Sequence, residues 1–293
     1  VSDNAYEAIT EAHDDARWAF GTGFEDPLAG VDTSLPDSVD GDDLAAYCLM
    51  LGDDALVMSH RLQQWCTSLP ELEEEVAVAN IALDLLGQAR LLLTRGGTAD
   101  GSGRGEDRLA FFREEHEYRN VRLAELVNGD FAELVARLVV FSTWRLALLS
   151  RLSESRDPVL SAVAAKGVKE VTYHRDYAAR WTVRLGDGTD HSRGRMQAGL
   201  AVVWPYVDEL FAAHEVELRL SAAGVAPDPS ALRDEFDNVL AQVLSAATLS
   251  KPEAGQLPGV GGRAGRDGVH TEAMGYLLAE MQSVARAHPE ATW

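Results

Sequence analysis

From Asp42 onward the apolar residues recur at three- and four-residue steps, the period of a helix with one buried face. Leu44, Tyr47, Cys48, Leu51, Ala55, Met58, Leu62 and Trp65 make the first such stripe, six turns long. Pro70 opens a second helix, and Glu71, Glu73, Glu74 and Glu75 complement the positive end of its dipole. That helix is apolar on nearly all sides from Val76 to Leu93, which predicts a central place in a bundle. The Gly-rich stretch from Gly96 to Gly105 ends it. A charged amphipathic segment follows from Leu109 to Leu126, and Asn128-Gly129 turns the chain. Further helical stripes run from Phe131 to Ser153, Pro158 to Leu185, Met196 to Ala222, Ala231 to Leu249 and Thr271 to Ala287. Their junctions carry breakers or caps: Asp157-Pro158, Gly186-Asp187-Gly188, Pro227-Asp228-Pro229, and Pro258 to Gly268. No segment alternates as a strand does. The pattern predicts one all-α domain, with four long core helices and several accessory ones.

The first forty-odd residues break this pattern. Residues 1–43 hold twelve acidic residues against one basic residue, Arg17. From Gly21 to Asp43 the chain mixes Gly, Pro, Ser and Asp without a period, the signature of a solvated segment. Tyr6, Ile9, Ala16 and Phe20 fit a short amphipathic helix before it. The expected division is an acidic, mobile N-terminal tail over 1–41 and a helical bundle over 42–293.

Composition narrows the function. The chain of 293 residues carries 47 acidic and 26 basic side chains, for a formal net charge of −21, and it is 46% apolar. Such a charge excludes a generic binder of nucleic acid or anionic membrane, which needs basic patches. Two cysteines, Cys48 and Cys66, supply neither a disulfide framework nor a cysteine zinc site. On one continuous helix they would stand ~27 Å apart, beyond disulfide reach. No secretory h-region opens the sequence and no run of ~18 uncharged apolar residues occurs, so a cytoplasmic protein is expected. Of the 26 basic residues only Lys166, Lys169 and Lys251 are lysines, a bias without bearing on activity.

The informative positions are polar residues inside apolar stripes. On the second helix Ala77, Asn80, Asp84, Gly87 and Leu91 share a face. The helix from Phe131 offers Val135, Ser142 and Leu149, and the helix from Pro158 carries His174 within a face of Leu160, Val163, Gly167, Val171, Ala178, Trp181 and Leu185. An Asp and a His in the middle of a bundle suggest a metal centre. Di-iron bundles supply a carboxylate from each of two helices and a Glu-x-x-His pair from each of the other two. Here the pairs read Asp84-Leu85-Leu86-Gly87, an acid without a His, and Val171-Thr172-Tyr173-His174, a His without an acid. Ser142 stands where a third helix would offer a carboxylate. Glu170 lies about 100° round the helix from Val171 and is expected to face elsewhere. Asp53 and Asp54 are either a contribution from the first helix or a solvated face. One imidazole and one short carboxylate cannot neutralise two irons. The positions Asp84, Gly87, Ser142, Val171 and His174 therefore read as a degenerate ligand set, with Asp84 and His174 joined in a buried polar network. No metal, cofactor or catalytic residue is expected in this chain.

Other candidates are weaker. Gly101-Ser102-Gly103-Arg104-Gly105 lacks a preceding strand and a Gly-Lys-Ser/Thr ending, so it reads as a flexible connection. Arg263 and Arg266 make a positive loop that fits either an anionic contact, such as a phosphate or acidic partner, or a mobile connection. His60, His116, His191, His214, His270 and His288 have no paired-ligand spacing and read as surface or capping residues. Ser59-His60 lacks a nucleophile elbow.

Several segments resemble one family. They are Leu51-Gly52-Asp53-Asp54, Arg61 to Cys66, Pro70-Glu71-Leu72-Glu73, Ala79 to Arg90, Ser153 to Pro158, and Lys169-Glu170 with Tyr173-His174. Arg184 to Thr189, Gly268 to Glu272, Leu278 to Gln282 and the final Trp293 complete the set. Over residues 44–293 the chain resembles the C-type subunits of phenylacetyl-CoA epoxidases. The resemblance implies a ferritin-like bundle and a structural role in a multicomponent monooxygenase of aerobic phenylacetate catabolism. It further implies a sister A-type subunit that carries the di-iron site and binds the CoA ester, and a separate reductase that delivers electrons from NADPH. A hetero-oligomer is expected, without nucleic acid or membrane. Two other readings compete: an autonomous di-iron oxidase or ferritin-like store with an unconventional ligand set, and a helical scaffold unrelated to oxygen chemistry.

Overall fold

The computed structural model describes residues 28–253 and 255–291. Nine α-helices are found among them: α1 (Gly41–Gln63), α2 (Leu72–Ala99), α3 (Glu106–Phe111), α4 (Phe131–Leu152), α5 (Pro158–Gly186), α6 (Asp190–Val203), α7 (Glu215–Ala222), α8 (Arg233–Ala246) and α9 (Glu272–Ala287). The only β pairing among the described residues is an isolated bridge between Val260 and Arg263. The chain is an all-α, ferritin-like bundle. Its core is α1, α2, α4 and α5, with α6 closing on α4 and the remaining helices packed at the ends and flanks.

Contacts fix the directions. Ser59 Oγ donates to the Ala82 carbonyl at 2.7 Å, while Gly96 packs on Cys48, so α1 and α2 run antiparallel. Gln88 meets Glu170 and Asp84 meets His174, so α2 and α5 are antiparallel too. At Gly167 of α5 a Cβ would come within 2.8 Å of a Leu149 methyl and 3.4 Å of the Gln88 amide. The missing side chain lets α5 seat between α4 and α2. Since α2 and α4 both oppose α5, they run parallel to each other, and the chain needs the long crossover over residues 100–130 to join them.

That crossover departs from the sequence expectation of a helix over 109–126. Beyond α3 it continues as two 3-10 turns, Glu115–Glu117 and Arg122–Glu125, with extended backbone between them. The cause is local. Asp53 and Asp54 accept the backbone N–H groups of Arg119 (2.9 Å) and Val121 (2.8 Å), an alternative to helical bonding that buries Tyr118, Val121, Leu123 and Ala124. The stripe expected over 196–222 is likewise broken into α6, two 3-10 turns and α7. The second helix starts at Leu72 and continues through Gly96 and Gly97 to Ala99, further than its glycines suggested. Asp40, Asp130 and Asp157 cap α1, α4 and α5 with their side chains.

Of the acidic N-terminal stretch, residues 28–40 are described. Leu28, Val31 and Val39 pack against the core, and the Thr33 and Ser34 carbonyls accept from Arg95 at 2.5 and 3.2 Å. The short helix read around Tyr6 to Phe20 lies outside the described residues. Cys48 is buried in α1, Cys66 falls in the turn after it rather than on one continuous helix, and both thiols are free.

Candidate functional site: the α2–α5 pair and the polar core

Asp84 of α2 and His174 of α5 do come together. The imidazole Nε2 lies 3.0 Å from Asp84 Oδ2. His174 is 1% exposed, whereas the Asp84 side chain keeps 36% of its surface, so the pair sits at the rim of the bundle rather than within its centre. The other sequence positions add no ligand to it. Gly87 has no side chain, and a Cβ built there meets nothing within 4 Å. Val171 is buried and apolar. Ser142 is buried, and its hydroxyl donates to the Leu138 carbonyl of its own helix at 2.6 Å.

Around this pair lies a polar core that the pattern of spacings did not reveal. Arg145, three residues beyond Ser142 on α4, is fully buried. Its Nε donates to Gln88 Oε1 at 2.9 Å, and both terminal nitrogens approach the Leu51 carbonyl at 3.4 Å. Gln88 passes the chain on to Glu170 (2.9 Å), which also receives Lys166 at 2.6 Å. Glu170 points off the Val171 stripe, but it does not face elsewhere: it reaches α2 one turn from the Asp84–His174 pair. Burial draws the Arg145 guanidinium down to about 10, with Asp54 pulling the other way, so it stays charged at neutral pH. The interior thus contains its own fixed cation.

Asp53 and Asp54, open between ligand and solvated face in sequence, are neither. Both are fully buried. Asp53 is held by the fork of Arg113, one arm at 3.0 Å, and Asp54 by the fork of Arg266 at 3.0 and 2.9 Å. Burial pushes the Asp54 carboxyl up while Arg266 and Arg145 oppose it. Arg266 is therefore not a free cation for phosphate or an acidic partner. It also donates to the Met50 and Arg119 carbonyls, tying the 258–268 loop to α1. Arg263 is exposed and donates to the Asp267 carbonyl at 3.0 Å.

His270 also departs from a surface role. Its Nδ1 lies 2.6 Å from Glu125 Oε1 and its Nε2 3.1 Å from the Tyr118 carbonyl, with both side chains buried. Burial disfavours its cation, but the Glu125 hydrogen bond and charge outweigh this and raise its pKa. The other oxygen of Glu125 accepts from the Thr271 N–H and hydroxyl, each at 2.7 Å, which fixes the start of α9. His214 caps α7, accepting from the Val216 N–H.

Among the described residues, no three His, Cys, Asp or Glu side chains are grouped to hold a metal ion. Two carboxylates, Asp84 and the Lys166-paired Glu170, with one imidazole and a buried guanidinium do not fit a two-iron centre, which needs several anionic ligands around two cations. Residues 32–293 match the family described as phenylacetic acid catabolic protein. The chain belongs to this family. It is similar to the C-type subunit of 1,2-phenylacetyl-CoA epoxidase from Escherichia coli (strain K12), with 44% identity over 250 residues, 85% of this chain and 99% of that one. Most of the acidic N-terminal stretch lies outside the family match, which starts at residue 32.

Proposed function

We propose that this chain is the non-catalytic C-type subunit of a multicomponent phenylacetyl-CoA 1,2-epoxidase in aerobic phenylacetate catabolism. It supports an A-type sister subunit that carries the di-iron site and receives electrons from a reductase. The observation that carries the reading is the ligand set. Where a ferritin-like oxygenase needs acids and paired histidines, this bundle has Gly87, Ser142 and Val171, and Arg145 adds a cation inside. Arg145 disfavours a second cation nearby, by roughly 4 kcal/mol per unit charge at 4 Å in a medium of effective dielectric 20. The bundle keeps the architecture of an oxygenase and offers it as a scaffold. Two free thiols fit a reducing compartment, and the reading places the protein in the cytoplasm.

Co-expression tests this reading. With the reductase and phenylacetyl-CoA supplied, the A-type subunit gains soluble yield and epoxidase activity when this chain is present. This chain alone turns over no substrate. An A-type subunit equally soluble and active without it would contradict the assignment.

A further inference from the structure

Glu125 is buried at the end of the crossover and is surrounded by donors. Its Oε1 accepts from the Asn120 amide at 2.9 Å and meets His270 Nδ1 at 2.6 Å, while Oε2 accepts from the Thr271 N–H and hydroxyl, each at 2.7 Å. The second ring nitrogen of His270, Nε2, lies 3.1 Å from the Tyr118 carbonyl. A carboxylate and a carbonyl can only accept, so the ring satisfies both only when each of its nitrogens carries a hydrogen. A neutral ring has one hydrogen. It would set a lone pair against an acceptor and leave the Glu125 charge buried without a cation bonded to it.

These bonds join the start of α9 to the crossover. The helix packs mainly on α3 and the two 3-10 turns rather than on the four core helices. Its far half is pinned by Gln282, which donates to the Tyr118 hydroxyl at 2.9 Å and the Arg113 carbonyl at 3.1 Å, and by Arg286, which donates to the Phe111 carbonyl at 3.0 Å. From α1, Arg61 donates to the Ala273 carbonyl at 3.2 Å and to the Glu125 carbonyl at 2.8 Å. A peripheral element tied at a few points can open without unfolding the core. The charged and titratable groups around the ring are Glu125 and Glu115 of the crossover, Arg61 of α1, and Tyr206 near Glu125. Arg119 donates to the same Tyr118 carbonyl at 2.8 Å, and the His214–Asp267 pair, at 3.6 Å, flanks the loop before the ring.

We propose that His270 and Glu125 form a proton-operated latch that holds α9 on the crossover, closed while both ring nitrogens are protonated and loosened when one proton leaves. Burial disfavours the imidazolium, but the Glu125 hydrogen bond and charge outweigh it and raise the pKa above the ordinary 6.5. The closed latch therefore holds fully below pH 6.5 and weakens as the pH rises through the raised value. Opening uncovers Met274, Leu277 and Leu278, which are buried in the closed chain. The latch is a property of this chain alone and does not depend on the partner-subunit reading.

Native-state hydrogen exchange of the full chain tests it, with opening constants corrected for the intrinsic rate at each pH. The amides of α9 should exchange through an opening roughly 100-fold more populated than the one that exposes the α1–α2 core, and insensitive to low urea. Above pH 6.5 that opening should grow by up to about tenfold per pH unit and then level off. His270→Gln should open α9 more at low pH and abolish the slope. Nitrogen NMR of the ring in the unmodified chain supplies a second reading that needs no variant: both ring nitrogens should be protonated at pH 6.5, and the proton should leave over the range in which α9 loosens. A pH slope that persists in His270→Gln overturns the proposal. So does a folded chain whose His270 ring is neutral at pH 6.5, or an α9 that exchanges with the same opening constant and urea dependence as the α1–α2 core.

Discussion

Asp84 and His174 meet at 3.0 Å across α2 and α5, but from unequal depth: the imidazole is buried and the carboxylate reaches the surface. Loss of either partner therefore has an unequal cost. His174→Ala removes a buried ring and is expected to lower stability by about 2–3 kcal/mol. Asp84→Ala leaves water free to replace a half-exposed, solvent-screened carboxylate and should cost under ~1 kcal/mol. Denaturant midpoints of the two variants check the order. Equal losses would mean that the pair is effectively buried.

The Asp54–Arg266 pair carries more. Both side chains are buried, and Arg266 links the last loop to α1 and to the crossover. Arg266→Ala strands the Asp54 charge and is expected to cost about 3–5 kcal/mol. Limited proteolysis should then cut within residues 258–268 well before the unmodified chain is cut there. Protection of that loop in the variant would show that other contacts hold it.

His270 gives stability a pH dependence. Its folded pKa lies above the ordinary 6.5 because Glu125 favours the imidazolium more than burial opposes it. The cation's contribution is complete below pH 6.5 and is lost as the pH rises through the raised folded value. Melting midpoints measured upward from pH 6 should therefore fall more steeply in the unmodified chain than in His270→Gln. Parallel profiles would mean that His270 does not titrate as the geometry requires.

Gly87 separates a structural from a ligand role at its position. It is helical, and a Cβ there meets open space, so Gly87→Ala should stabilise the isolated chain by about 0.5–1 kcal/mol. A destabilised variant, read by urea denaturation, would show that the glycine is needed for packing within the chain.

Apolar periodicity and length made the four long helices legible, although α1 and α4 are buried on nearly every side, and the Asp84–His174 contact was legible as two polar residues within apolar stripes, with Asp84 at the rim rather than inside. The crossover did not follow. Its apolar spacing is helical from Leu109 onward, but Asp53 and Asp54 capture its backbone from a distant helix. The same long-range bonds turned the Gly52-Asp53-Asp54 run inward. Arg145 was visible as a cation within an apolar helix, yet only its contact with Gln88 shows that it is an interior group. The central place expected for α2 was half right, since the pattern records burial without saying which chain supplies the cover.

Iron content decides the central claim. The purified chain, loaded with ferrous iron under air and desalted, should retain well under one iron per monomer by elemental analysis and show no oxo-bridge absorption. Two tightly held irons per monomer with that band would contradict the account, because the site at Asp84 and His174 would then be a working di-iron centre.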